Sequence, residues 1–376
     1  MIVRSDIRSA FAKRYNLQNP GPAIHYRAIL RPFVMLDLVR LTRPVNLLII
    51  ALTMFAIRYG VIAGNLERGL HHLMRELGGT VTRTEVLLPA GYGPQMPKLL
   101  FLLLVISTVL IAAGGNVIND YFDTRIDRIN KPDQVIVGRS VKRRVAMTAH
   151  MVLSGLGLVI GVFVAWRCDL LQWAWIPAFS IGALWVYSTN LKRSLVIGNG
   201  LVATLTALVP LTVGVYEIPM LARYFVEPKV IEVQSAQYIM EPGFIRELWY
   251  WVLAYAAFAF MSTLVRELQK DMADVPGDKA VGCNTVPIAW GMRWAKGLAL
   301  FHTAVIMAGL LIVRSMYLHD PMSYWYIGIG ISAPLLLSAG FTYNAIARKE
   351  HLRAGMLMKI AMILAVGYAF LIRFLP

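Results

Sequence analysis

Long apolar runs alternate with short polar connections along this chain. Nine runs of about 18–23 residues are each long enough to cross the hydrocarbon core of a bilayer. They fall at about 44–64, 98–118, 145–166, 171–189, 197–217, 247–264, 297–316, 325–343 and 355–373. The pattern predicts an all-α, polytopic membrane bundle of about nine helices. Pro177 and Pro210 fall inside runs and predict kinks, with neighbouring helices satisfying the freed carbonyls. Two longer polar connections, 66–97 and 219–246, interrupt the series. Ahead of it, residues 1–42 are polar and basic, without the apolar core and small-residue cleavage site of a signal peptide. Within them, Ala28–Leu41 suits an amphipathic helix in the headgroup plane. The expected organisation is therefore a basic tail and interfacial segment, 1–42, followed by one membrane domain, 43–376.

The polar residues that matter sit where two of these runs end. The run Leu99–Ile118 leads directly into N-D-Y-F-D-T-R-I-D, Asn119–Asp127. Asn119, Asp123 and Asp127 are spaced i, i+4, i+8, which stacks them on one helix face with a drift of about 40° per step. Acids crowded at the mouth of a membrane helix are costly, and unpaired they repel one another and tend to protonate. A divalent cation removes that problem. Oxygen ligands without a nearby His or Cys favour Mg²⁺ over zinc or copper. Mg²⁺ takes one or two carboxylates and completes its shell with water and substrate phosphate. The stretch therefore points to a diphosphate handled at a membrane surface.

A second acidic cluster follows the run Leu248–Leu264. In R-E-L-Q-K-D-M-A-D-V-P-G-D-K, Glu267, Asp271, Asp274 and Asp278 repeat at i, i+4, i+7, i+11, one helical stripe. Pro276 and Gly277 leave the last turn of that helix undecided. One acidic cluster alone reads equally as a solvated helix end. Two clusters, each closing a span and each interleaved with Arg or Lys, point to a paired-metal site. They lie four spans apart, a coarse repeat that predicts two related halves with facing acidic ends.

The two motifs resemble those of the UbiA-type intramembrane prenyltransferases. That family's first motif, N-D-x-x-D-x-x-x-D, is met by Asn119, Asp120, Asp123 and Asp127; its second, D-x-x-x-D, is met by Asp274 and Asp278. The flanks R-I-N-K-P-D, G-D-K-A-x-G and T-V-P match as well, and the similarity runs from about Leu41 to the end. The resemblance implies Mg²⁺ held by Asp123, Asp127, Asp274 and Asp278, with Asn119 completing the catalytic set. It implies a prenyl diphosphate donor, a lipid or aromatic acceptor, and a product born in the bilayer. Expected substrate contacts are Asp120, Arg128, Lys131, Lys270, Asp271 and Lys279 around the motifs. Asn46 at the head of the first run joins them, with Tyr187 and Lys192 in Y-S-T-N-L-K. The family usually has K-P-x-R-P-I after the first motif, but Gln134 and Val135 stand where Arg and Pro are expected. Arg139 or Lys142 is the expected replacement, and Arg143 and Arg144 read as membrane anchors. The pattern K-D-x-x-D-x-x-G-D is nearest the ether-lipid branch, which acts on geranylgeranylglyceryl phosphate. The chlorophyll and tocopherol branches share much of it, so an aromatic acceptor stays the alternative.

Composition agrees with a membrane protein: 57% hydrophobic and 15% charged residues. The formal net charge is +16. In a chain with nine spans, attraction to anionic headgroups explains this better than nucleic acid. Most Lys and Arg fall in the tail and in the connections after spans two, four, six and eight, which the positive-inside rule places in the cytoplasm of a bacterial or archaeal cell. Both acidic clusters land on that side, and Pro376 on the other. Cys168 and Cys283 form no ligand pattern; His150 and His302 read as locally paired, and Met356, Met358 and Met362 as filling. The D-G-x-x-A-R element of CDP-alcohol phosphotransferases is absent, and a transporter would place lone acids nearer mid-span.

Overall fold

The computed structural model describes residues 35–76, 86–227, 229–233, 236–240 and 244–373. The basic tail before residue 35 and the terminal Pro376 lie outside the described residues. Among the described residues, eight helices are long and apolar enough to cross a membrane. In chain order these are α1 (Pro44–His71), α2 (Lys98–Phe122), α3 (Arg143–Arg167), α5 (Ile197–Tyr224), α6 (Phe244–Ala280), α7 (Met292–Tyr317), α8 (Pro321–Asn344) and α9 (Arg348–Ile372). The remaining expected span is α4 (Trp175–Thr189), only 15 residues long and preceded by a 3₁₀ turn, Leu171–Ala174. At about 1.5 Å per helical residue and about 2 Å per 3₁₀ residue, helix and turn together still reach about 30 Å.

Helix α2 packs against α3 and α4, α6 packs against α7 and α9, and the α5–α6 contact joins the two groups. Side chains of both groups meet in apolar cores that include Phe101, Val213, Leu221 and Val252 in one and Val265, Ala299, Leu335 and Met358 in the other. Where α1 crosses α9 it winds as a π-helix, Ala56–Ile62, and a Cβ on Gly60 would fall 2.1 Å from the Ala369 carbonyl oxygen. Only glycine permits that approach. A helical segment, 35–41, precedes α1, and its Leu41 is buried with Val117, Val137, Val141 and Ala146.

Chain direction places the C-terminal ends of α2 and α6 together. At the opposite end, the two long polar connections are not mere loops. They pair as a three-stranded antiparallel sheet, β1 (Val86–Leu87), β2 (Lys229–Val233) and β3 (Ala236–Met240), in the order β1-β2-β3. Val86 lies opposite Val233 and Ile231 opposite Tyr238. Val86, Ile231 and Val233 close over Leu70. The histidines are paired locally as expected, His150 Nδ1 3.0 Å from the Gly114 carbonyl and His302 Nδ1 2.7 Å from that of Leu298.

One feature of this half was not foreseen from sequence. Arg58 and Glu217, almost fully buried, face each other at 3.2 Å. Glu217 also accepts from the Met96 N–H at 2.9 Å, and Arg58 donates to the Met96 carbonyl and lies 4.5 Å from the Phe101 ring centroid. Removing one member of a buried pair strands the other charge, at a cost of about 3–5 kcal/mol. Glu217→Ala is therefore expected to lower the melting temperature in detergent sharply, as followed by circular dichroism, while the protein that remains folded keeps its substrate affinities.

Candidate active site

Helix α2 does not stop at the first acidic stretch. Asp123 forms a joint, and the chain re-enters a short helix, Thr124–Asn130. The backbone bonds from Asp123 to Asn119, from Asp127 to Asp123 and from Lys131 to Asp127 continue the helical pattern through the joint at 2.9–3.0 Å. The stripe inferred from spacing therefore exists in three dimensions. Carboxylate oxygens of Asp120, Asp123 and Asp127 lie within 4.8 Å of one another.

Each of these acids has a basic neighbour. Arg43 reaches Asp120 at 2.5 Å, Lys131 is 3.3 Å from Asp127, and Lys192 donates to Asp123. The Asn119 amide nitrogen donates to Asp123 at 2.8 Å. Burial pushes the Asp127 carboxyl above its ordinary value, opposed by Lys131. Burial opposes the charge of Arg43, but the carboxylates of Asp120, Asp123 and Glu267 together hold the guanidinium above its ordinary value. Arg43 adopts φ 56°, ψ 65° directly before Pro44, a left-handed backbone that a non-glycine residue holds only at a cost of about 1–3 kcal/mol. The surrounding contacts hold that strain, and the strained residue carries the guanidinium on Asp120.

The second stripe forms the facing wall, and α6 runs straight through it to Ala280. Pro276 does not end the helix. Asn130 explains why: its amide nitrogen donates to the Asp274 carbonyl at 3.2 Å, and its oxygen accepts from the Gly277 N–H at 3.0 Å. It satisfies backbone groups around the proline and ties the first motif to the second. A Cβ on Gly277 would fall 2.5 Å from the Asn130 side chain, so glycine is needed for the tie. Along this wall Glu267 lies 2.6 Å from Arg266 and 3.7 Å from Lys270, Asp271 accepts from Asn199 at 2.7 Å, and Asp274 pairs with Arg348 at 3.1 Å. Asp278 is buried, coupled to the charges of Asp274, Lys192, Lys270 and Asp123. The two clusters thus face one another.

Two spaces meet here. A polar pocket of 210 Å³ is lined by Arg43, Asp120, Asp127, Lys131, Gln134 and Lys270, among others. A larger cavity of 280 Å³ runs into the bundle, with Asn46, Asn119, Tyr187 and Glu267 near its mouth and Leu104, Ile111, Val209 and Tyr216 among its deeper walls. Arg43 and Lys270 line both, so they mark the junction.

The expected substitutes for the family Arg are not brought to the site. Arg139 and Lys142 are exposed and line neither space. Their loop turns at Gly138, whose N–H bonds to the Val141 carbonyl at 2.8 Å, and buries Val137 and Val141, which directs the intervening and following basic side chains outward. Arg128 and Lys279 are likewise exposed, and Gln134 itself lines the polar pocket. Sequence reading missed Arg43, Asn130, Asn199, Arg266, Arg348 and Lys359 as site residues. R-P at the head of a span was visible, as were a lone lysine inside the last apolar run, Asn130 in the flank R-I-N-K-P-D and Arg266 at the start of the second acidic stretch; Asn199 and Arg348 needed the fold.

Whether these residues suit a divalent cation follows from the donors. All are hard oxygens, three carboxylates converge, and the buried Asn119 Oδ1 has no hydrogen-bond partner among the described residues. The set fits Mg²⁺. Asp120 stands within the converging group, whereas Asp274 and Asp278 lie across from it.

A helical membrane bundle with such a pocket opening into an apolar cavity is built to hold a charged headgroup at one end and a hydrocarbon chain within. It is the arrangement of an intramembrane transferase of lipid-like groups. The family model described as the UbiA prenyltransferase family matches residues 86–363, and the chain belongs to that family. A digeranylgeranylglyceryl phosphate synthase from Thermococcus kodakarensis is 30% identical over 304 residues, covering 79% of this chain and 92% of the relative. One from Thermococcus sibiricus is 28% identical over 317 residues, covering 81% and 94%. Among solved structures, one of digeranylgeranylglyceryl phosphate synthase superposes with a TM-score of 0.55 at 20% identity, over 90% of this chain and 99% of that one. A UbiA homolog from Aeropyrum pernix K1 gives 0.54 at 13% identity, over 86% and 98%. The last two establish the shared fold.

Loss of a carboxylate from the converging group is expected to reduce turnover more than about a hundredfold. Asp120→Ala and Asp123→Ala should both do so without altering the helical circular-dichroism spectrum. The exposed Asp133→Ala should stay within about twofold of wild type. An essential Asp133 would refute the assignment.

Proposed function

We propose that this protein transfers a geranylgeranyl group, in an Mg²⁺-dependent reaction, from its diphosphate to the hydroxyl of a glyceryl phosphate-type lipid. The observation that carries this is the junction at Arg43 and Lys270 between a carboxylate-lined polar pocket and an apolar cavity. A prenyl diphosphate has the matching two parts. The names of the relatives and the K-D-M-A-D-V-P-G-D pattern, Lys270–Asp278, support the ether-lipid acceptor over an aromatic ring. The excess of Lys and Arg in the connections at the acidic end supports a site on the cytoplasmic side.

Asp120, Asp123 and Asp127 would hold the metal from one wall, with Asn119 Oδ1 as a neutral oxygen, and Asp274 and Asp278 would serve it from the other. Bound there, Mg²⁺ supplies Lewis-acid neutralisation of the diphosphate as it leaves. Arg43, Lys131 and Lys270 donate to the same oxygens. The C–O bond to diphosphate breaks with its electron pair on the leaving oxygen. The acceptor hydroxyl oxygen bonds to the allylic carbon and gives up its proton to the departing diphosphate or to water. The face of Tyr187, buried at the mouth of the cavity, is available to positive charge developing on that carbon. The deeper apolar wall holds the tail and keeps water from competing with the acceptor.

A competition tests the acceptor. Purified protein receives geranylgeranyl diphosphate with geranylgeranylglyceryl phosphate and, in parallel, with a hydroxybenzoate- or dihydroxynaphthoate-type ring, and products are identified by mass. Prenylation of the glyceryl phosphate is expected. Prenylation of the ring alone would overturn the acceptor and leave the site intact.

A further inference from the structure

One charge in the cavity has no place in the account of the donor. Lys359 lies inside α9, about 16 Å along the helix from Arg348 at its acidic end. A lysine at that depth is costly unless it meets a partner. Its ammonium donates to the Asn46 side-chain oxygen at 2.6 Å, a neutral acceptor, and no ion pair to it occurs among the described residues. Lys359, Asn46 and Arg266 line the larger cavity but not the carboxylate pocket. Arg266 is in reach of the same stretch of α9, since a Cβ on Gly355, one turn before Lys359, would meet the Arg266 side chain at 4.0 Å.

The charge count sharpens this. Arg43 is neutralised by Asp120 and Lys270 serves the diphosphate at the junction, so the cavity keeps Arg266 and Lys359 against the carboxylate of Glu267. Two cations against one anion leave an excess of one positive charge, and with Arg266 2.6 Å from Glu267 it is Lys359 that carries no ion pair among the described residues. A phosphate monoester carries a charge of about −1.5 to −2 near neutral pH. The carboxylate pocket, with its metal, accounts for one diphosphate. Lys359, with Arg266 beside it, is left over for a second anion.

We infer that Lys359 and Arg266 form the subsite for the phosphate of the acceptor lipid, separate from the diphosphate site. The inference rests on the glyceryl phosphate reading above and deepens it. In such an acceptor the phosphate and the reacting hydroxyl share one three-carbon unit. Anchoring the phosphate beside Asn46 therefore presents the hydroxyl towards the junction at Arg43 and Lys270, one helical turn from Asn46 along the start of α1. The basic side chains that sequence reading would assign to this task fall elsewhere: Arg139 and Lys142 are exposed, and Lys192 is held by Asp123.

The test is steady-state kinetics with geranylgeranyl diphosphate and geranylgeranylglyceryl phosphate. Two variants guard against misfolding, Lys359→Met and Lys359→Gln, the second retaining a donor for Asn46. Each is expected to raise KM for the glyceryl phosphate about tenfold or more, the worth of a charge-assisted hydrogen bond. KM for the diphosphate should stay within about twofold. Lys359→Arg should recover most of the acceptor affinity. An unchanged acceptor KM in the Gln variant, or a rise in donor KM instead, would overturn the subsite while leaving the proposed acceptor standing. Wild-type protein that prenylates only an unphosphorylated ring would overturn both.

Discussion

The structure depends on keeping three carboxylates within 4.8 Å of one another at the end of a membrane helix. In isolation they repel and protonate. Every nearby feature answers that repulsion. Arg43, Lys131 and Lys192 come from three separate segments, and each sets its charge against a different aspartate. Arg43 does so from a left-handed backbone ahead of a proline. Breaks in regularity of this kind gather where charge must be positioned. In the proposed reading, a divalent cation and a diphosphate complete the balance.

Position, and not charge alone, makes the site work. The joint at Asp123 keeps helical hydrogen bonding on both sides, so Asn119, Asp123 and Asp127 stay stacked while the chain turns. Asn130 then fastens this segment to α6 where Pro276 would otherwise weaken it, and Gly277 leaves room for that contact. The two acidic walls are thus registered by one amide side chain. The apolar cavity beneath them needs no such precision, because a hydrocarbon tail is recognised by exclusion of water.

Much of this was legible in the sequence, for identifiable reasons. Hydropathy marks spans because lipid forces every backbone polar group to be satisfied within the helix. The i, i+4 spacing marks a stripe because helices repeat every 3.6 residues. What stayed hidden depends on contacts between distant segments. Asn130 stands in the matched flank R-I-N-K-P-D, but its role shows only when it is seen against Gly277. The continuity of α6 through Pro276 follows from that same contact. Arg139 and Lys142 resembled phosphate ligands by position, but burial of Val137 and Val141 turns them outward. Glu217 sat at the edge of an apolar run and read as a span end, although it is buried on Arg58. The sheet joining the two polar connections could not be read from strands as short as Val86–Leu87.

The central claim is that the facing acidic clusters form one metal-dependent site for a prenyl diphosphate. Turnover of geranylgeranyl diphosphate by purified protein, first stripped of divalent cations by a chelator and then titrated with Mg²⁺, tests it most directly. Turnover should vanish on stripping, return with added Mg²⁺, and fail to return in Asp123→Ala at any Mg²⁺ concentration. Full turnover in the stripped protein would contradict the account.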